Sequence, residues 1–180
     1  MSKLLTSIDD KTRKFIESQQ IFFVATAASS GKVNLSPKGL DSFRILGPNK
    51  VAWLNLTGSG NETAAHILET NRMTIMMCAF EGKPNILRLY GSARAIYEQD
   101  PEWKDYGPLF GPNTGSRQIF LVEVEHVQHS CGMAVPIYDF VEHRDLLNIS
   151  HDKKGREKVK DYWREKNMVS LDGFPTGQKV

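Results

Sequence analysis

Short apolar stretches bounded by Gly, Pro or Asn recur along the chain, and several of them alternate apolar with polar residues. In residues 86–90 leucine occupies every second position, and in residues 122–125 valine alternates with glutamate. Such period-two patterns predict antiparallel strands with one wetter face. Six or seven strands are expected, mostly joined as hairpins, and closure into a barrel or strongly curled sheet protects their edges. The sequence therefore predicts a mainly β, antiparallel barrel with flanking helices.

Helical patterns flank these strands at both ends of the chain. Residues 9–19 begin with two aspartates, which the helix dipole favours at an N-terminus. The charged segment 151–166 predicts one helix with a narrow apolar side formed by Val159, Tyr162 and Trp163. We expect one domain over residues 1–180, with a helical tail at about 150–167 that packs on the barrel or on a partner.

Composition removes several classes of function. The chain has 180 residues, 40% of them apolar and 24% charged, as in ordinary globular proteins. A formal charge of +2 without a lysine or arginine run argues against nucleic-acid binding. Neither a signal peptide nor an apolar run of membrane-spanning length is visible, so a cytoplasmic location is expected. Two cysteines without a CxxC pair predict neither a disulfide framework nor a zinc site.

The stretch LTGSGNETAAHI places glycines between an apolar run and a helical pattern. Ser59 and Glu62 have the spacing of a capping box, so a helix is expected from Ser59 to Thr70, with Asn71 as a left-handed cap and His66 on its surface. Backbone amides at such a helix start attract anions, and glycines allow close approach of a ligand. The stretch therefore indicates either a structural helix cap or a phosphate site.

Two nucleotide-binding motifs and a metal site are excluded by spacing. GSGNET has Thr63 where G-x-G-x-x-G needs its third glycine, and the flanking strands are expected to be antiparallel. No Walker-type loop occurs. His126 and His129 are three residues apart, which suits neither a helical pair nor a complete ligand set, so no metal is expected.

The order of the motifs SPKG, VAWLNL, GSGNETAAHI, MTIMMCAF and LRLYGSARAI resembles the pyridoxamine 5'-phosphate oxidase-like flavoproteins. The resemblance spans about residues 10–98, with weaker similarity over 117–136. It implies the FMN-binding split β-barrel fold and a homodimer that holds FMN at the subunit interface. The phosphate of FMN needs cationic and amide donors, and its ring needs flat apolar walls with a few hydrogen bonds.

Candidate contacts to FMN follow from the resemblance: Ser36, Lys38, Trp53, Asn55, Gly60, Asn61, Thr63, Arg88 and Cys131. Lys38 falls where the family carries a cation, and Asn61 and Glu62 stand where many members carry basic residues. Trp53 and Asn55 share a strand face, so Trp53 either flanks the ring or is an ordinary core aromatic. Arg88 either assists Lys38 or lies on a solvated face. Cys131 either approaches the flavin or is a buried small thiol, the interpretation we favour.

The resemblance implies a flavin-dependent oxidoreductase that acts on an unknown small molecule. The R-x-H-D-R-like run that grips the substrate in authentic pyridoxamine phosphate oxidases does not occur, so vitamin B6 oxidase activity is not expected. A carrier of flavin or haem without turnover is the first alternative. A cofactor-free interaction module and a deazaflavin in place of FMN also stay open.

Overall fold

The computed structural model describes residues 3–180, and these residues form eight strands, five α-helices and one short 3-10 turn. The strands are β1 (Lys3–Leu5), β2 (Phe22–Thr26), β3 (Asn34–Lys38), β4 (Phe43–Gly47), β5 (Lys50–Leu56), β6 (Arg72–Cys78), β7 (Ile86–Tyr97) and β8 (Ser116–Ser130). The helices are α1 (Asp10–Glu17), α2 (Glu62–Thr70), α3 (Trp103–Tyr106), α4 (Leu146–Lys154) and α5 (Arg156–Lys166), and the 3-10 turn spans Gly107–Phe110.

All strand pairs are antiparallel and belong to one curled sheet. The strand order is β3-β2-β6-β7-β8-β5-β4, and β1 pairs with β8. The path begins at β3 and ends at β4, so the sheet is split between these two strands. The mainly β, antiparallel sheet expected from the alternation is confirmed, as is the split barrel that the resemblance implies.

The main core fills the concave side of this sheet. Trp53 of β5 stacks on Phe120 of β8 with ring centroids 4.7 Å apart, and Phe22 of β2 meets Trp53 edge-on at 6.1 Å. Leu87 and Leu89 are buried while their neighbours along β7 are half-buried, as the alternation predicts. A second apolar cluster on the opposite face includes Ala52, Leu54, Ile96, Ile119 and Leu121.

Helix α2 starts later than expected, and the predicted capping box is wrong. Asn61 is the N-cap residue and makes no side-chain cap hydrogen bond. The Glu62 carboxylate instead accepts the Leu171 backbone N–H at 3.0 Å, so a tertiary contact replaces the local one. Asn71 is left-handed with φ 48°, as expected. His66 is 1% exposed rather than on the surface, and its Nδ1 lies 3.1 Å from Thr26 Oγ1.

The tail forms two helices instead of the single one expected. Gly155 has φ +77°, a conformation that ends α4 and redirects the chain into α5. Val159 and Trp163 are buried, and Trp163 Nε1 donates to Thr57 Oγ1 at 2.8 Å. The tail therefore packs on its own barrel, and residues 167–180, hereafter the C-terminal segment, return across the start of α2 through the Leu171–Glu62 contact.

Candidate functional site

One face of β3 lines the barrel interior with polar side chains. Lys38 pairs with Phe22 and Ser36 pairs with Val24, and directly opposed residues of an antiparallel pair point to the same side. Phe22 and Val24 belong to the main core. Lys38 and Ser36 therefore point into the barrel, beside the split in the sheet.

The charged ammonium group of Lys38 packs against the core without an anionic partner. Its Nζ lies 5.3 Å from the centroid of the Trp53 ring, and within residues 3–180 it makes no ion pair or hydrogen bond. Burial, and then the positive charge of Arg117, lower the pKa of Lys38 to about 8. Desolvation of a charged group without a partner is costly, so this ammonium is suited to an incoming anion.

Two buried donors beside Lys38 also lack acceptors. Ser36 Oγ and Trp53 Nε1 are both buried without a hydrogen-bond partner, and Trp53 is fully buried. More than nine in ten buried polar groups in proteins have a partner, so such groups require an explanation. Trp53 is thus a core aromatic, which is one of the two interpretations of the sequence. Its indole N–H also lies in the interior without an acceptor.

The start of α2 closes the other end of this polar strip. Asn61 Oδ1 accepts from Gln118 Nε2 at 2.8 Å, and Thr63 Oγ1 accepts from Asn34 Nδ2 at 3.1 Å. Asn61 Nδ2 also donates to the Asn167 carbonyl at 3.4 Å. Both polar side-chain atoms of Asn61 and the hydroxyl oxygen of Thr63 therefore already have protein partners. Gly60 is exposed, immediately before the N-cap.

The structure gathers most of the predicted residues into what we call the interior cluster. Its members are Asn34, Ser36, Lys38, Trp53, Asn55, Asn61, Thr63, Arg117 and Gln118. Asn55 is 3% exposed and pairs with Gln118 across β5 and β8.

Arg88 and Cys131 are not part of the interior cluster within one chain. Arg88 alternates with the core residues of β7, so it points to the outer face, where its Nη1 donates to Ser130 Oγ at 3.0 Å. Cys131 is exposed, contrary to the favoured interpretation as a buried thiol, and its Sγ accepts the Met133 N–H at 3.4 Å.

Arg117 is the main residue that sequence reasoning missed. The pairing of β5 with β8 shifts between Asn55 and Leu56, which leaves Arg117 as the extra residue of a β-bulge. Bulges redirect side chains, and this one turns Arg117 into the protein, where it is 3% exposed. Arg117 and Gln118 are adjacent polar residues just before the apolar run 119–122, and this is a sequence signal. The bulge that gives them their role is not visible in the sequence.

A cleft of about 1070 Å³ opens one residue beyond Lys38 along β3. Its lining includes Leu40, Phe80, Tyr138, Phe140 and His143. Tyr138 and Phe80 are packed with ring centroids 5.5 Å apart, and the Tyr138 N–H donates to the Phe80 carbonyl at 3.0 Å. This aromatic-walled cleft therefore meets the chain at Gly39, the residue after Lys38, and none of the interior-cluster residues lines it.

The described residues offer neither a membrane-spanning helix nor a cluster of metal ligands. Residues 3–180 contain no helix with the length and apolar character needed to cross a bilayer. They also contain no group of three or more metal-binding side chains. Both ring nitrogens of His129 lie within hydrogen-bond distance of neighbours, namely Thr12 and Asn85.

Residues 8–131 match the family model described as Pyridoxamine 5'-phosphate oxidase. The chain is similar to the pyridoxamine 5'-phosphate oxidase family protein ustO of Aspergillus flavus, with 34% identity over 187 aligned positions that cover 94% of this chain and 75% of that protein.

Two solved structures share the fold. HupZ of Group A Streptococcus is 20% identical with a TM-score of 0.53, covering 66% of this chain and 90% of that one. A candidate pyridoxamine 5'-phosphate oxidase of Lactobacillus delbrueckii is 17% identical with a TM-score of 0.54, covering 68% of this chain and 94% of that one. At such identities the likeness concerns the fold alone.

Proposed function

The chain belongs to the pyridoxamine 5'-phosphate oxidase family, since the family model and the ustO relative each cover most of it, and on that premise we propose that it is an FMN-binding flavoprotein. We infer further that it is a cytoplasmic oxidoreductase acting on a small molecule. Vitamin B6 oxidase activity is not part of this proposal, because the R-x-H-D-R-like run is absent from the sequence.

The observation that carries the proposal is the set of unused donors in the interior cluster. Lys38, Ser36 and Trp53 each present a buried or half-buried donor that has no acceptor among the described residues. FMN is rich in acceptors, with a phosphate dianion, ring carbonyls and ring nitrogens, so it fits such a set. Asn55 lies on the same face of β5 as Trp53 and adds an amide.

FMN supplies the redox chemistry when bound, since its ring accepts a hydride or single electrons. The residues of this chain bind and orient it. Lys38 and Ser36 donate to an anionic oxygen, and the buried Trp53 and Phe120 keep bulk water away from the interior end of the site. We assign the substrate to the adjoining cleft lined by Tyr138 and Phe140, whose flat rings suit an apolar or aromatic body.

We propose a homodimer with the cofactor at its interface. The outer side of β3 is apolar and open, with Val33 75% and Leu35 63% exposed. Arg88 points to this same outer face of the sheet. A second copy packed there covers the apolar surface and brings its Arg88 toward the cofactor, a route by which Arg88 and Lys38 contribute to one site.

An absorption spectrum of the purified protein tests the proposal, recorded alone, after FMN and then after NADPH. Flavin bands that remain with the protein through gel filtration and bleach on reduction support an FMN oxidoreductase. Bound flavin that no reductant bleaches favours the carrier, and a haem band favours a haem-binding protein. Absence of binding with FMN in excess refutes the proposal.

A further inference from the structure

Arg117 carries a buried charge that its hydrogen bonds do not neutralise. Its Nε donates to Gln118 Oε1 at 3.0 Å and its Nη1 donates to Asn167 Oδ1 at 2.7 Å. Both partners are neutral amides, and Arg117 forms no ion pair in the described part of the chain. Burial lowers the pKa of Arg117 to about 10. The two amides explain how the side chain is held, but they do not explain why a charge is buried without a counter-ion, which is unfavourable because of desolvation.

Two hydrogen-bonded bridges, through Gln118 and through Asn167, connect Arg117 to the turn before α2. Gln118 Nε2 donates to Asn61 Oδ1 at 2.8 Å, and Asn167 Nδ2 donates to the Gly58 carbonyl at 3.2 Å. The carboxamide of Gln118 thus lies between the guanidinium and Asn61, and that of Asn167 lies between the guanidinium and Gly58. Each bridge separates the guanidinium from the turn by about 8 Å. The positive end of the α2 dipole faces the same turn.

One carboxylate borders the turn. A Cβ at Gly60 would lie 3.3 Å from Glu62 Oε1, and the same carboxylate accepts the Leu171 N–H. Its charge opposes that of Arg117 at the turn and also acts on Lys32, so removal of Arg117 would leave Glu62 unopposed there. The titratable groups that act on Arg117 are Tyr97 and Tyr162, and no carboxylate of the described residues is among them. Burial raises the pKa of Tyr97 to about 12. Lys38 adds a further positive charge, since Arg117 lowers its pKa.

We propose that Arg117 recognises the phosphate of the bound flavin through its electric field, from behind the 58–61 turn, and that Asn167 of the C-terminal segment is the positioning residue that holds it there. This inference rests on the proposed FMN function. The helix start itself carries Asn61 and Glu62 and no cation, so the positive charge comes from β8. Asn167 also gives the C-terminal segment a role in the site.

The test compares FMN with riboflavin, which has the same ring and no phosphate. A phosphate oxygen bound at the turn lies one hydrogen-bond length farther out, at about 11 Å from the guanidinium. A unit charge at about 11 Å, with an effective dielectric constant of about 20, changes affinity by roughly 10-fold. Arg117→Gln should therefore weaken FMN by about 10-fold and leave riboflavin within about twofold, as measured by fluorescence titration of the flavin. Arg117→Lys keeps the charge and should retain most of the preference for FMN. Arg94→Gln removes an exposed arginine and is the matched control.

A second variant keeps the test valid even if Arg117→Gln does not fold. Asn167→Asp keeps the side-chain shape but places a carboxylate against Arg117, so it should lower FMN affinity selectively while the guanidinium stays buried. Equal losses for FMN and riboflavin in both variants would mean that Arg117 is only structural and would overturn the inference. Unchanged FMN affinity in both would do the same. Wild-type protein that binds neither flavin refutes the proposed function itself, whereas wild-type binding with unaffected variants refutes only the role of Arg117.

Discussion

At the scale of single residues, Lys38 is the group whose removal is most informative. Lys38→Ala should weaken FMN binding by about 1 to 3 kcal/mol if the ammonium meets the phosphate, because a charge-assisted hydrogen bond is lost. Flavin fluorescence titrations with FMN and riboflavin measure the effect. Lys32→Ala is the control, since Lys32 is an exposed lysine paired with Asp172.

The riboflavin titration also decides where Lys38 acts. Contact with the phosphate predicts that riboflavin affinity is unchanged. Equal loss for both flavins contradicts that contact and moves Lys38 to the ring. Unchanged affinity for both removes Lys38 from the site altogether.

The pKa of Lys38 makes a separate prediction for the free protein. The pKa is lowered from 10.5 to about 8 in the folded chain, so between these values the unfolded chain binds more protons at this site. Stability from this group therefore rises as the pH increases from 8 to 10.5. Urea unfolding at pH 7 to 10 should show Lys38→Met more stable than wild type at pH 7, with a gap that narrows by pH 10. Parallel pH curves for the two proteins would contradict the shifted pKa.

Ligand binding should respond to pH in the opposite direction. Phosphate attraction needs the charged ammonium, so the preference for FMN over riboflavin should fall above pH 8, and Lys38→Met should lack this fall.

The position of Lys38 on β3 could be predicted from the sequence, whereas its isolation from carboxylates depends on residues far away in the chain. Arg117 was missed for the same reason, since a bulge follows from strand pairing rather than from local sequence.

At the scale of elements, a bulge at Glu125 of β8 lies opposite Gly91 of β7. The pairing of β7 with β8 shifts between Tyr90 and Gly91, and a Cβ at Gly91 would overlap the backbone carbonyl oxygen of Glu123. Gly91→Ala should therefore lower the free energy of unfolding by about 1 to 3 kcal/mol. Gly47→Ala in β4 is the matched control, because nothing lies within 4 Å of its added Cβ, and we expect a change below about 0.5 kcal/mol. Urea unfolding of both variants measures the difference, and equal effects would contradict the packing argument.

The tail offers a second test at this scale. Trp163 is fully buried, donates to Thr57 and lies under the Arg156 guanidinium at 4.7 Å. Trp163→Ala should destabilise the fold by about 3 to 5 kcal/mol, while Lys158→Ala on the exposed side of α5 should be nearly neutral. Urea unfolding checks both, and a small loss for Trp163→Ala would mean that α5 packs only loosely.

Helices were less predictable than strands because their ends depend on distant contacts. The capping-box spacing of Ser59 and Glu62 is a local signal. The Glu62 carboxylate instead accepts a hydrogen bond from the Leu171 N–H of the C-terminal segment. Gly155 could have been identified as a helix end from its residue type alone, since glycine tolerates the positive φ found there. The strands were easier to predict because one buried face imposes alternation along their whole length.

At the scale of the whole molecule, the outer face of β3 leads to the last prediction. Val33 and Leu35 expose apolar surface on the face to which Arg88 also points, and such surface is characteristic of an interface. If two copies meet there and share the cofactor, dilution should release flavin together with dimer dissociation. Leu35→Glu should shift the protein to monomer and weaken FMN at least tenfold, as followed by analytical ultracentrifugation and flavin fluorescence. Leu109→Glu, at an exposed leucine away from this face, is the control, and a Leu35→Glu monomer with full FMN affinity would refute the shared site.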